Sequence, residues 1–205
     1  MNPAIDCSAI EAVVIGGSAG GVEALLQILP ALRARVAPPT MVVLHIPRER
    51  PSLLAQIFND RCALPVLEAQ DKDPLQPATI YFAAPDYHLL VDGSQAAPLL
   101  AMSNEEAVNF SRPAIDVLFE SAADHFGPRL LGIVLTGGNQ DGAAGLQAIR
   151  AAGGKTIVQD PQHAQAPYMP ERALDAGPID YVLTLAQIAE VLASLSVEGK
   201  GKAGD

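Results

Sequence analysis

Gly16-Gly17-Ser18-Ala19-Gly20-Gly21 decides how this chain is read. A serine stands among glycines, directly after the apolar run Ala12-Val13-Val14-Ile15. The segment from Val22 to Leu29 then carries its apolar residues at helical spacing. The order predicted is strand, sharp turn, helix. A serine at such a turn projects its hydroxyl from a strand end, beside the unpaired N–H groups that open the helix. Nucleophilic hydrolases use this geometry, and phosphate-binding loops use a closely related one.

The rest of the chain narrows the choice. Its 205 residues suit one domain with a substantial core. With 49% hydrophobic and 18% charged residues it is a folded globular chain, not a disordered one. Tryptophan is absent, so Val, Leu, Ile and Ala must build the core. A formal net charge of −10 argues against nucleic acid as a partner, since a phosphate backbone would repel it. No apolar run approaches the roughly 20 residues of a membrane helix. The N-terminal residues lack the basic and apolar regions of a signal peptide. Cys7 and Cys62 form neither a disulfide framework nor a zinc motif. The expectation is a reduced, cytoplasmic protein.

Apolar strands and helical patterns alternate along the chain. Strands are expected at 40–45, 65–68, 130–136, 155–159 and 181–183. Helices are expected at 52–60 with Ser52 as N-cap, at 113–126 opening on Pro113, and at 143–152, 170–176 and 185–195. Residues 71–101 read differently. The runs 79–83 and 88–91, with a turn at Asp92-Gly93, suggest an antiparallel β insertion. The fold expected is α/β: a doubly wound, mostly parallel sheet with helices on both faces and a β-hairpin insertion. Residues 1–11 are read as an extension, 12–196 as the catalytic domain and 197–205 as a disordered tail. Ligands of such sheets sit at the carboxyl ends of the strands. Ser18, His45 and Asp141 each follow a strand, so all three should emerge on that edge.

The glycine loop fits dinucleotide binding poorly. Ser18 replaces the second glycine of that fingerprint, and His45 stands where a ribose-binding acid belongs. No Gly-Lys-Ser/Thr closes the turn as a Walker loop requires. The stretch does match the literal G-x-S-x-G nucleophile elbow, but the order Ser, His, Asp is not that of α/β-hydrolases. A triad explains the three residues together. A hydroxyl needs a neighbouring base, histidine titrates near neutrality, and aspartate fixes the imidazole tautomer. Each residue also has a plain structural use: Ser18 as a helix cap, His45 as a packed strand end, Asp141 as a turn residue. His88 is read as structural, and His125 and His163 as surface residues.

At these residues the chain resembles the catalytic domain of the chemotaxis protein-glutamate methylesterases (CheB-type). The resemblance runs from about Val13 to Leu192. It rests on Ile15–Gly21, Leu44-His45-Ile46-Pro47, Ile80–Leu89, Ser111–Phe119, Leu135–Ala143, Gln159-Asp160 and Met169-Pro170, in that order. It implies Ser18 as nucleophile, His45 as general base and Asp141 as the residue that orients it. It implies a reaction on γ-glutamyl methyl esters of chemoreceptors, with deamidation of receptor glutamines in many members, and no metal or organic cofactor. Expected partners are the methylated cytoplasmic helices of chemoreceptors. The catalytic domain is expected to stand alone, without the family's usual receiver domain, and a separate response-regulator or methyltransferase partner is left open.

Oxyanion and substrate contacts are expected among Ala19, Gly20, Gly137, Gly138, Asn139, Arg48, Arg112 and Met169. Families of this type usually carry methionine then glycine where this chain has Gly138 and Asn139, so contacts there should differ. Two other functions stay open at this level. One is a serine hydrolase of the same scaffold acting on a non-receptor ester. The other is a non-catalytic adaptor or nucleotide-binding module.

Overall fold

The computed structural model describes residues 7–33, 37–46 and 52–195. Seven strands form one parallel sheet: β1 (Ala12–Gly17), β2 (Thr40–Leu44), β3 (Val66–Glu68), β4 (Ile80–Phe82), β7 (Leu130–Val134), β8 (Lys155–Gln159) and β9 (Tyr181–Leu183). Their spatial order is β3-β4-β2-β1-β7-β8-β9. A separate antiparallel hairpin joins β5 (His88–Ser94) to β6 (Ala97–Ser103). The doubly wound expectation holds, with its small antiparallel addition.

Alternation along each strand builds two cores. Ala12 and Val14 of β1 and Met41 and Val43 of β2 face one way, towards α3 (Ile115–Phe126), α4 (Ala143–Ala151), α5 (Tyr168–Ala176) and the hairpin. Val13, Ile15, Val42 and Leu44 face the other, towards α1 (Gly21–Ile28), α2 (Leu54–Asn59) and α6 (Leu185–Ser194). Every residue of β1, β2 and β7 is buried, because a central parallel strand is covered on both faces. No described helix is long and apolar enough to cross a membrane.

This topology positions the site. The helix after β1 lies on one face and the helix after β7 on the other, so a crevice opens at their carboxyl ends. Hydrogen bonds carry the register past the strand ends. His45 N donates to Gly17 O (3.2 Å), and Ser18 N donates to Thr136 O (3.0 Å).

Several expectations are corrected. The run around Ile80–Phe82 is not part of the insertion; it pairs in parallel with both β2 and β3. Asp92 and Gly93 continue β5, opposite Leu99 and Pro98, so the hairpin turns at Gln95-Ala96. Helix α2 starts at Leu54, and Ser52 Oγ accepts from Leu54 N from outside its N-cap position. Helix α3 starts at Ile115, and Pro113 precedes it after a cis peptide bond. His125 is half-buried rather than surface, and burial lowers its pKa. His88 is structural as expected: its ring accepts from Ala114 N and bonds Glu106 O. The expected tail, 197–205, lies outside the described residues.

Candidate active site

Ser18 leaves β1 on a turn and is half-buried. It does not cap α1. The N-cap is Gly20, in the left-handed region at φ 76°, and no side chain caps the helix. Among the described residues Ser18 Oγ has no hydrogen-bond partner, which leaves the hydroxyl available for chemistry. A side chain at Gly20 would run into Gln165, its Cβ lying 2.6 Å from Oε1. The turn is therefore packed tightly against the loop that carries Gln165.

His45 is the first residue beyond β2, and its side chain is mostly buried. Its Nε2 lies 2.9 Å from Asp141 Oδ2. Its Nδ1 faces Ser111 Oγ and Asn139 Nδ2, both at 3.5 Å. Both groups carry hydrogens to offer, which suits a tautomer with the proton on Nε2 and the lone pair on Nδ1.

Asp141 is fully buried, in the loop between β7 and α4. Its carboxylate closes the amino end of α3. Oδ2 accepts from Ile115 N (2.7 Å), and Oδ1 accepts from Asp116 N (3.0 Å). No side chain of α3's own N-cap, Ala114, does this work. Burial alone would raise the Asp141 pKa, but the hydrogen bond from His45 and the two α3 amides outweigh it and hold the group below its ordinary value. The aspartate thus stays ionised and fixes the imidazole.

Thr136 ties the serine turn to the aspartate loop. Its hydroxyl donates to Ala19 O (2.9 Å) and accepts from Ala166 N (2.8 Å), while its amide donates to Gln159 Oε1 (2.8 Å). A second polar layer supports Asp141. Asn109 Nδ2 donates to Asp116 Oδ2 (2.8 Å) and to Asp141 Oδ1 (3.3 Å). Asp116 Oδ1 accepts from Gly142 N and Gly145 N. Sequence reasoning missed Thr136, Asn109, Ser111 and Asp116. Ser111, Asp116 and Thr136 lie within the motif strings and Asn109 just before one, but most of their contacts join segments distant in sequence, such as Asn109 to Asp141 and Thr136 to Ala19.

The expected oxyanion and substrate residues separate into groups. Among the described residues the amides of Ala19, Gly20, Gly138 and Asn139 have no partner, and they lie on the two loops that border the crevice. The amide of Gly137 is already given to Ala166 O at 2.9 Å. Met169 is buried under Gly137, whose added Cβ would lie 2.5 Å from Met169 Cε. Its place is support, not the site's surface. Arg112 donates to Asp86 Oδ1 (2.8 and 3.1 Å) and to the carbonyls of Asn104 and Glu105 (2.9 Å each), so it braces a loop. Gly138 has open space where a side chain would stand. Asn139 turns inward, accepting from Asp141 N (3.2 Å) and donating to Ser111 Oγ (3.2 Å). Arg48 lies outside the described residues. Among the described residues no three His, Cys, Asp or Glu side chains gather as a metal site would require.

Known proteins share this fold and much of this sequence. A solved structure, the catalytic domain of the CheB methylesterase of Thermotoga maritima, superposes with a TM-score of 0.86 at 31% identity, covering 91% of this chain and 98% of that one. A Leptospira interrogans protein, provisionally named protein-glutamate methylesterase/protein-glutamine glutaminase, is 42% identical over 185 residues, 90% of this chain and 94% of that protein. A Burkholderia lata protein named protein-glutamate methylesterase/protein-glutamine glutaminase 3 is 36% identical over 199 residues; the match takes in 97% of this chain but 54% of that longer protein. The family model for CheB methylesterase matches residues 13–192. With the strand order, the serine turn and the His45–Asp141 pair in place, this chain belongs to the CheB methylesterase family.

Proposed function

We propose that this chain hydrolyses γ-methyl esters of glutamate side chains on chemoreceptor proteins, with Ser18 as nucleophile, His45 as base and Asp141 as its orienting partner. The observation that carries the reading is the buried Asp141 carboxylate, 2.9 Å from His45 Nε2 at the strand edge where Ser18 stands. Family membership supplies the substrate class.

Ser18 Oγ attacks the ester carbonyl while its proton passes to His45 Nδ1. Asp141 stabilises the resulting imidazolium through Nε2–H. The oxyanion is met by free backbone amides, first those of Ala19 and Gly20 beside the nucleophile and then that of Gly138 across the crevice. In related chemistry such a donor is worth about 3–4 kcal/mol in the transition state. His45 returns the proton to the departing methoxide, and methanol leaves. Water then attacks the glutamyl ester of Ser18, again giving a proton to His45, and the free carboxylate is released with Ser18 restored. A glutamine side chain follows the same route with ammonia as the leaving group, in keeping with the second activity in the relatives' names.

The test is methanol release from receptor carrying labelled methyl esters. Ser18→Ala is expected to abolish it. Ser111 also faces His45 Nδ1, so Ser111→Ala is the necessary control. A loss of about tenfold or less there leaves Ser18 as the nucleophile. Full activity in Ser18→Ala, or complete loss only in Ser111→Ala, rejects the assignment.

A further inference from the structure

Val108-Asn109-Phe110-Ser111 forms a closed two-residue turn beside the site. Val108 N donates to Ser111 O (3.1 Å) and Ser111 N donates to Val108 O (2.8 Å). Both central residues are left-handed, with φ 50° at Asn109 and 62° at Phe110. Mirror-image turns of this kind take glycine or asparagine at these places. Asn109 conforms, and its side chain reaches Asp141 and Asp116. Phe110 does not conform. A bulky L-residue there is strained and must be held by its surroundings.

Nothing in the described fold repays that strain. Phe110 is fully exposed, at 101% of its reference surface, so its ring contributes no packing. The residues on either side of it touch the catalytic group: Asn109 bonds Asp141, and Ser111 Oγ lies 3.5 Å from His45 Nδ1. The turn is rigidly anchored, because Arg112 next to it binds Asp86 and the carbonyls of Asn104 and Glu105. The result is an aromatic ring presented to solvent at a fixed place next to the base.

Among the described residues, the cation next to this turn is not free to hold a protein substrate. The chain has a net charge of −10, and the guanidinium of Arg112 is already committed. An exposed aromatic offers binding free energy that does not depend on charge, and aromatic anchors dominate protein contacts. We infer that Phe110 is a docking residue for the protein substrate, receiving an apolar side chain that flanks the esterified glutamate. The inference rests on the methylesterase reading above, and its observation is a strained, solvent-facing ring on a turn built into the triad's support.

Two variants and two substrates test it. Phe110→Gly removes the ring and suits the left-handed turn; Phe110→Leu keeps an apolar group. On methylated receptor, Phe110→Gly should raise KM about tenfold with kcat changed less than twofold, and Phe110→Leu should recover most of the loss. On a blocked single glutamate γ-methyl ester, which has no flanking residues, Phe110→Gly should match the wild type within twofold. Its Tm should be equal to or about 2–4 °C above that of the wild type, which separates lost docking from lost folding. An unchanged receptor KM, or an equal loss on both substrates, overturns the docking role. Failure of the wild-type chain to release methanol from receptor overturns the methylesterase reading first, and docking with it.

Discussion

At the residue scale, the buried pair Asp116 and Asp141 makes stability depend on pH. The two carboxylates share the Gly142 amide, at 2.9 and 3.1 Å, and Asn109 bridges them. Burial, and then repulsion from Asp141 and Glu120, push Asp116 up to about 6 against the amide hydrogen bonds of Gly145 and Gly142. Across a neighbouring cavity stand Gln147 and Arg172, with the guanidinium paired to Asp175. A carboxyl raised in the fold contributes fully below its unfolded value near 4, and that contribution is lost as pH rises through about 6. Asp141, held low, acts oppositely: its contribution is present at neutral pH and lost only as pH falls through its lowered value. Asp116→Asn should therefore remove a gain in stability that the wild type shows between pH 7 and pH 5. Each pKa unit corresponds to about 1.4 kcal/mol, and the group titrates about one unit across this window, so the difference is on the order of 1 kcal/mol. Urea midpoints of both proteins at the two pH values measure it. Parallel pH dependence in wild type and variant rejects the account.

At the element scale, the amino end of α3 reaches Asp141 because β1 offers no side chain in its way. A Cβ on Gly16 would lie 2.3 Å from Ile115 Cγ2, and the Ile115 amide makes the 2.7 Å bond to Asp141 Oδ2. Gly16→Ala must displace Ile115. We expect a loss of about 1–3 kcal/mol in stability, as for other overpacked cores, together with a fall in kcat. Thermal unfolding and methanol release measure the two effects; an alanine variant with native Tm and turnover would show that α3 is free to move. The strands that carry the site were legible because their apolar runs are bounded by glycine or proline: β1, β2, β7 and β8 lie where periodicity placed them, within two residues. Strand β4 was not. Its three residues are all buried, and so short an apolar run does not reveal its partner. Its nearness to the run 88–91 and the turn at Asp92-Gly93 suggested an antiparallel insertion, whereas β4 fills a parallel place between β2 and β3.

At the scale of the whole molecule, one sheet separates two cores that share every central strand. Neither core can be lost without exposing the other face of the same strands. The span 12–196, read from sequence as one catalytic domain, should unfold in a single cooperative step. Calorimetric and van't Hoff enthalpies should agree; two separated transitions would show that the faces are independent.

The sequence by itself determined the alternating elements, the parallel sheet and the three strand-end residues Ser18, His45 and Asp141. Those follow from local rules: apolar period, glycine turns, and the placing of side chains at strand ends. Only the tertiary structure decided what surrounds them. It set Nε2 of His45 on Asp141, took the Gly137 amide for Ala166, committed Arg112 to Asp86 and buried Met169. It also brought Asn109, Ser111 and Asp116 to His45 and Asp141 and turned Phe110 outward. These outcomes depend on contacts between distant segments and on the competition of each donor for its nearest acceptor, which no single stretch of sequence contains.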